Sequence, residues 1–197
     1  MDGCPAPSPA VDAEDPDQDA VNAITAGDAS GCRLLVQRHL ARLHALATRL
    51  TGSSADADEV CQDVFLRAWQ QAPRWRSGQA RFATWLHQVA LNLCRDRLRG
   101  RREGLPLDSI GERTDEDSPE RQQQRREQAD GLRAALAQLP ERQREALLLC
   151  HFQGISNAEA AAALEVGVDA LESLLARARR GLRAHLGGKL ESIGVAT

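Results

Sequence analysis

Between Arg81 and Arg102 the chain reads RFATWLHQVALNLCRDRLRGRR, a stretch with two faces and a burst of charge at its end. Phe82, Trp85, Leu86, Val89, Ala90 and Leu93 recur at helical spacing and form one apolar stripe. Asn92, Arg95, Arg99 and Arg102 recur at three- and four-residue steps on another side. From Arg95 to Arg102 there are five arginines and one acid, Asp96. This predicts a packed helix presenting an amide and a row of guanidiniums, groups that suit nucleic-acid backbone and base edges. The charge run alone fits equally well a solvated face on a core helix.

The same periodicity fills most of the chain. A short helix from Asp19, a break near Gly27–Gly31 and a longer helix to about Leu50 come first. Thr51-Gly52-Ser53-Ser54 reads as a helix stop followed by a new cap. The next helix runs to about Trp69 and buries Ala57, Val60, Cys61, Val64, Phe65, Ala68 and part of Trp69. Its other side shows Asp56, Asp58, Glu59, Gln62, Asp63 and Arg67. Pro73 to Gly78 is a loop leading into the arginine helix.

Beyond Gly100 sustained periodicity stops, and Gly104, Pro106, Gly111 and Pro119 mark a linker. Helical segments resume near residue 124, break at Pro140 and Gly154, and restart at Ser156, whose S-x-x-E pattern with Glu159 is a capping box. Glu165-Val166-Gly167 forms a short turn before a longer helix from about Val168 to Leu186, which carries Arg177, Arg179, Arg180 and Arg183. Two helices about a short turn, the second basic, fit a DNA-reading helix-turn-helix; an αα-hairpin of an ordinary bundle has the same spacing. No long alternating run predicts a sheet. The expected fold is all-α: an acidic disordered tail over 1–18, a helical domain over 19–102, an acidic linker over 103–123, a second helical domain over 124–188 and a tail over 189–197.

The net charge of −3 hides segregation. Residues 1–32 carry Asp2, Glu14, Asp15, Asp17, Asp19 and Asp28 among their acids and no Lys or Arg, while basic residues cluster at 95–102 and 177–183. Five widely spaced cysteines without a CxxC pair argue against a disulfide framework or a four-cysteine zinc site. Cys61 and Cys94 fall within helical patterns as small hydrophobes, and core filling is the expectation for Cys150 beside His151. No P-loop, Ser/His/Asp arrangement or metal-ligand spacing supports covalent chemistry, a metal or a cofactor. No apolar run reaches membrane-span length, and the acidic, Pro-rich start lacks the basic region of a secretory signal; a cytoplasmic protein is expected.

Three stretches together resemble one family. AGDASGCRLLVQRHLARLHALATRLTGSSADADEVCQDVFLRAW contains a D-A-x-D/E-x-x-Q-x-x-F-x-x-x-W signature. RFATWLHQVALNLCRDRLR follows F-x-T-W-L-x-x-I-A-x-N-x-x-x-D-x-x-R, and LPERQREALLLCHFQGISNAEAAAALEVGVDALESLLARARRGLR looks like a promoter-reading helix-turn-helix. In this order they resemble bacterial RNA polymerase sigma factors of the sigma-70 family, extracytoplasmic-function (ECF) group, over about residues 20–186.

The resemblance implies roles. Asp56, Asp58, Glu59, Gln62, Asp63 and Arg67 match the surface that docks on a coiled coil of the largest polymerase subunit. Arg74, Trp75, Arg76 and Ser77 match the loop that grips a flipped base of the −10 element. Asn92 would read a base edge, and Arg81, Arg95 and Arg99 would hold phosphates. In that setting Trp75 is the stacking candidate and Trp85 a core residue. Gly167, Asp169, Ala170, Glu172, Ser173, Ala176, Arg177 and Arg179 match the −35 reading helix, in a domain that meets the flap of the second-largest subunit. Glu172 stands where Lys or Arg is usual, Leu174 where Arg is usual, and Glu165 where Gly is frequent. The acidic linker matches the segment that threads toward the polymerase active site, where Asp115, Glu116 and Asp117 would mimic RNA. Promoter DNA, polymerase core and a partner anti-sigma factor are the implied partners, without membrane insertion. Two other readings stay open on the residues alone: a dimeric helix-turn-helix repressor or activator, and a helical adaptor that binds proteins only.

Overall fold

The computed structural model describes residues 15–76, 78, 80–102 and 131–186. The linker over 103–123, the tails over 1–14 and 187–197, residues 124–130, Ser77 and Gln79 lie outside the described residues. Among the described residues there is no strand, and the chain is all-α as expected.

The first unit holds four helices. α1 spans Gln18–Thr25 and α2 spans Ala29–Thr51. Gly27 turns between them at φ +80°, and the Asp28 carboxylate caps α2 by accepting from the Ser30 N–H at 2.8 Å. The two helices cross closely at Gly31, where a Cβ would lie 2.9 Å from the Ile24 nitrogen. Gly52 ends α2 in the left-handed region at φ 74°, and Ser53 caps α3, Ser54–Gln71, through the Asp56 N–H. The buried residues Ala57, Val60, Cys61, Val64, Phe65 and Ala68 of α3 match the predicted stripe. Trp69 is 38% exposed, so only part of it packs, as its place at the stripe's edge predicts. A 3-10 turn over Ala72–Arg74 leads to α4, Phe82–Arg102. α4 buries Phe82, Leu86, Val89, Ala90 and Leu93, and continues through Gly100 to Arg102. A helical glycine costs only about 1 kcal/mol, which a long packed helix absorbs.

Asp15 to Gln18, assigned to the tail by the sequence, belong to the fold. Asp17 is 2% exposed, pairs with His39 at 2.7 Å and Arg38 at 3.1 Å, and Arg38 also donates to the Pro16 carbonyl. Acid-rich composition suggested solvation; specific basic partners 21 and 22 residues away reverse it.

The second unit begins, as described, with α5 over 131–137. α6 spans Glu141–Leu147 after Pro140 and widens into a π turn, Leu148–Phe152, where one continuous helix was expected. Gly154 at φ 63° turns the chain into α7, Asn157–Ala163, under the predicted Ser156–Glu159 capping box. Glu165 takes φ 56°, the left-handed strain anticipated for a non-glycine there, and α8 runs Val168–Leu186. Leu136, Leu139, Leu147, Leu148, Leu149, Leu164, Leu171 and Leu182 form an aliphatic core, each contributing about 2 kcal/mol by leaving water. The two units are not separate: α7 packs along α4, and the π turn meets α2.

Candidate nucleic-acid interface

α3 exposes its acids. Asp58 is 73% exposed and Glu59 68%, Gln62 and Arg67 are exposed, and Asp56 and Asp63 are half-buried. His44 lies 3.1 Å from Asp58. Arg97 of α4 reaches across to Glu59 at 3.1 Å and Asp63 at 3.4 Å, anchoring this acidic face to the arginine helix. Arg97 lies outside the predicted row of Asn92, Arg95, Arg99 and Arg102: at 100° per residue it points some 200° from Arg95, toward α3.

The loop before α4 and the first turns of α4 enclose an open pocket of about 310 Å³, bordered by Arg74, Trp75, Arg76, Thr84, Trp85 and Gln88, with Ala162 of α7 as one wall. Its floor is aromatic. Trp75 meets Phe82 edge-on, ring centroids 4.9 Å apart at 87°, and Trp85 lies 5.4 Å from Phe82. Trp85, expected in the core, is half-buried and borders the pocket beside Trp75. The Trp75 Nε1–H is buried and finds no acceptor among the described residues. Arg74 and Arg76 are exposed at the rim.

Further along α4 the predicted residues are engaged. Arg95 makes a bidentate pair with Glu145, Nε to Oε1 at 2.6 Å and Nη2 to Oε2 at 2.8 Å, and its Nη1 donates to Asn92 Oδ1 at 2.7 Å. The Glu145 hydrogen bonds raise the Arg95 pKa above its already high value. Arg81 pairs with Glu159 at 2.9 Å, and Gln88 donates to Glu165. Arg99 stays in solvent, 71% exposed, with Asp96 at 2.8 Å.

Gly167, just before α8, and Asp169, Ala170, Glu172, Ser173, Ala176 and Arg177 along its start are all exposed. Arg179 departs from them: it is half-buried, and its Nη2 lies 3.1 Å from His151 Nε2. Burial and the Arg179 charge hold His151 below its usual pKa, so the neutral ring accepts from the guanidinium. Two residues from Arg177, Arg179 faces the domain interior by helical phase. Leu174 packs partly against the core beside buried Leu175.

Sequence reasoning missed Arg97, Glu145, Glu159 as an inter-unit partner, and Glu165. Glu145 carried a signal: in REALLLC it stands three and four residues before Leu148 and Leu149, on the apolar face, where an acid needs a partner. Among the described residues no group of three or more His, Cys, Asp or Glu is arranged to hold a metal ion, and no helix is long and apolar enough to cross a membrane.

An all-helical chain with an arginine-rimmed pocket lined by Trp75 and Trp85, and with two helices about a short turn, has the groups that nucleic-acid binding needs. Comparison with known proteins agrees. The family profiles Sigma-70 region 2 and Sigma-70, region 4 match residues 35–103 and 129–182. The chain is 34% identical to ECF RNA polymerase sigma factor SigM of Mycobacterium tuberculosis, over 93% of this chain and 91% of SigM. It is 35% identical to ECF RNA polymerase sigma factor SigE of Mycolicibacterium smegmatis over 77% of its own length, spanning 60% of SigE. The structure of CnrH in complex with the cytosolic domain of CnrY superposes with a TM-score of 0.70 at 29% identity, covering 88% of this chain and 98% of CnrH. The chain belongs to the sigma-70 family, in its extracytoplasmic-function group. It is a transcription initiation factor.

Proposed function

We propose that three surfaces divide the work of initiation. The acidic face of α3, with Asp56, Asp58, Glu59, Gln62, Asp63 and Arg67, docks on a basic, helical surface of polymerase core. Exposed carboxylates repel DNA phosphates, so this face suits a protein partner. The pocket before α4 takes an unstacked −10 base against Trp75 and Trp85, with Arg74 and Arg76 at its rim; Ser77, which lies outside the described residues, is assigned to the same base by the resemblance. Arg81, Arg95 and Arg99 hold the strand and Asn92 reads a base edge through its donor and acceptor. The start of α8, from Gly167 to Arg177, enters the −35 major groove; Glu172 there favours a cytosine N4 donor, and Arg179 acts by bracing His151. The single observation that carries this reading is the aromatic-floored pocket with Arg74 and Arg76 exposed at its rim.

The factor works by binding, without covalent chemistry of its own, in the cytoplasm. A regulatory partner of the anti-sigma kind fits the family resemblance and the likeness to CnrH held by the cytosolic domain of CnrY. Core capture on immobilised polymerase tests the first surface: Glu59→Arg loses binding while Asn92→Ala keeps it. Permanganate footprinting tests the second: Trp75→Ala leaves core binding intact and loses reactive thymines at the start site. Equal behaviour of Glu59→Arg and the unaltered chain in the capture assay contradicts the docking assignment.

A further inference from the structure

Both ends of the segment that carries Arg74, Trp75 and Arg76 are tied to the start of the chain. At the near end, the hydroxyl of Thr25, the last residue of α1, lies 3.3 Å from the Ala72 carbonyl. That same carbonyl accepts from the Trp75 N–H at 3.1 Å, closing the 3-10 turn. At the far end, the Asp15 carboxylate accepts from the Phe82 N–H. The Phe82 ring is fully buried and touches both pocket tryptophans, Trp75 edge-on and Trp85 tilted. Trp75 is therefore placed twice by the N-terminal residues, once through its backbone and once through the ring it leans on.

The anchor is itself fixed. The other Asp15 oxygen accepts from the Asp17 N–H at 3.0 Å, so the carboxylate is oriented before it reaches Phe82. Asp17 is held to α2 by His39 and Arg38. Ala20 and Val21 are buried, and Gly31 lets α1 and α2 cross with backbone against backbone. A segment with fixed ends has fewer conformations to lose when a base enters. A stacking surface already in place binds more tightly than one the ligand must assemble. Sites carried on loops keep their geometry only with such support from outside.

We propose that α1 together with Asp15 is the positioning element of the −10 pocket: it pins Ala72 and Phe82, and so presents Trp75 and Trp85 to the flipped base in a ready-made arrangement. This rests on the reading of that pocket as the −10 site. Asp15 and Thr25 are positioning residues, the first acting through Phe82 and the second through the Ala72 carbonyl. The N-terminal helix thus sets how readily the polymerase-bound factor captures a base, and leaves its hold on core untouched.

The test uses the full chain bound to purified bacterial core, on the DNA upstream of its own gene. Permanganate reactivity of thymines at the start site reads base capture; retention on immobilised core is read beside it. Asp15→Ala should lower reactivity about five-fold, the factor that one lost helix cap is worth, with core retention unchanged. Asp15→Asn keeps an acceptor for the Phe82 N–H and should recover most of the loss. Thr25→Val should fall less, because the Thr25 proton is shared with the Val21 carbonyl at 2.9 Å, and Thr25→Ser should restore it. Asp28→Ala removes the cap of α2, away from the pocket, and lowers stability without disturbing either pinned end. Its reactivity should match the unaltered chain. Should Asp15→Ala misfold, the Thr25→Val and Thr25→Ser pair decides the matter. Normal reactivity of the Asp15 and Thr25 variants, with Trp75→Ala still defective, overturns the positioning role and leaves the −10 reading standing. Normal reactivity of Trp75→Ala overturns the −10 reading, and the positioning role with it. An equal deficit in Asp28→Ala makes the effect one of general stability and also overturns the proposal.

Discussion

The Asp15 carboxylate accepts a hydrogen bond from the backbone N–H of Phe82 at 2.7 Å, joining residues 67 positions apart. Phe82 opens α4, whose first N–H groups have no partner within the helix. Asp15 thus caps the arginine helix from outside it, with the favourable charge for a helix start. Asp15→Ala should cost about 1 kcal/mol, the usual worth of an N-cap, and Asp15→Asn should cost less. The midpoint of urea denaturation reads both.

Asp17 makes the fold sensitive to acid. Burial favours its protonated form, but the His39 and Arg38 hydrogen bonds and charges outweigh burial and hold its pKa below the ordinary 3.8. A folded value lowered below the unfolded one contributes stability that is complete above the ordinary carboxylate range. That contribution is lost as pH falls through the lowered value. Asp17→Asn should lose about 2 kcal/mol near neutrality, in line with hydrogen bonds to charged groups. Its stability should then fall less steeply than the unaltered chain's below about pH 4, because the variant has already lost what the proton removes. Equal slopes would show that Asp17 is not the group titrating.

Gly31 is set by contact rather than by a turn. A Cβ there would sit 2.9 Å from the Ile24 nitrogen and closer still to the Ala20 carbonyl, both backbone atoms that move only if α1 moves. Gly31→Ala should destabilise by about 1–3 kcal/mol through overpacking, despite alanine's better helix propensity. Thermal denaturation checks it; a stabilised variant would mean α1 is free to retreat.

The buried thiols should be inert. Burial first, then the nearby Asp58 charge, raises Cys61 to about 11; burial raises Cys94 to about 12. Thiolate is the reactive form, so neither should alkylate in the native chain at pH near 8. Iodoacetamide labelling followed by mass spectrometry should modify Cys61 and Cys94 only after denaturant is added.

Much of this was legible because the signals are local. Gly52 with Ser53, and Ser156 with Glu159, announce helix ends within four residues, and the apolar stripe of α3 needs only its own periodicity. What escaped was tertiary. Asp15 and Asp17 looked like a solvated tail because their partners, Phe82, Arg38 and His39, are distant in sequence. Helical phase put Arg95 and Arg99 on one side but not what each meets: Arg95 faces α6, Arg99 faces water, and Arg97, outside that row, faces α3. The π turn at Leu148–Phe152 lies in an unbroken apolar run that gave no break signal. Arg179 shared composition with Arg177 but not its face.

Run-off transcription with purified bacterial core polymerase, on the DNA upstream of this protein's own gene, tests the central claim most directly. A discrete transcript should appear only when the protein is added, vanish with Glu59→Arg through lost core binding, and weaken with Asn92→Ala while core binding persists. A chain that binds duplex promoter DNA tightly by itself, yet neither binds core nor yields a transcript, would contradict the account.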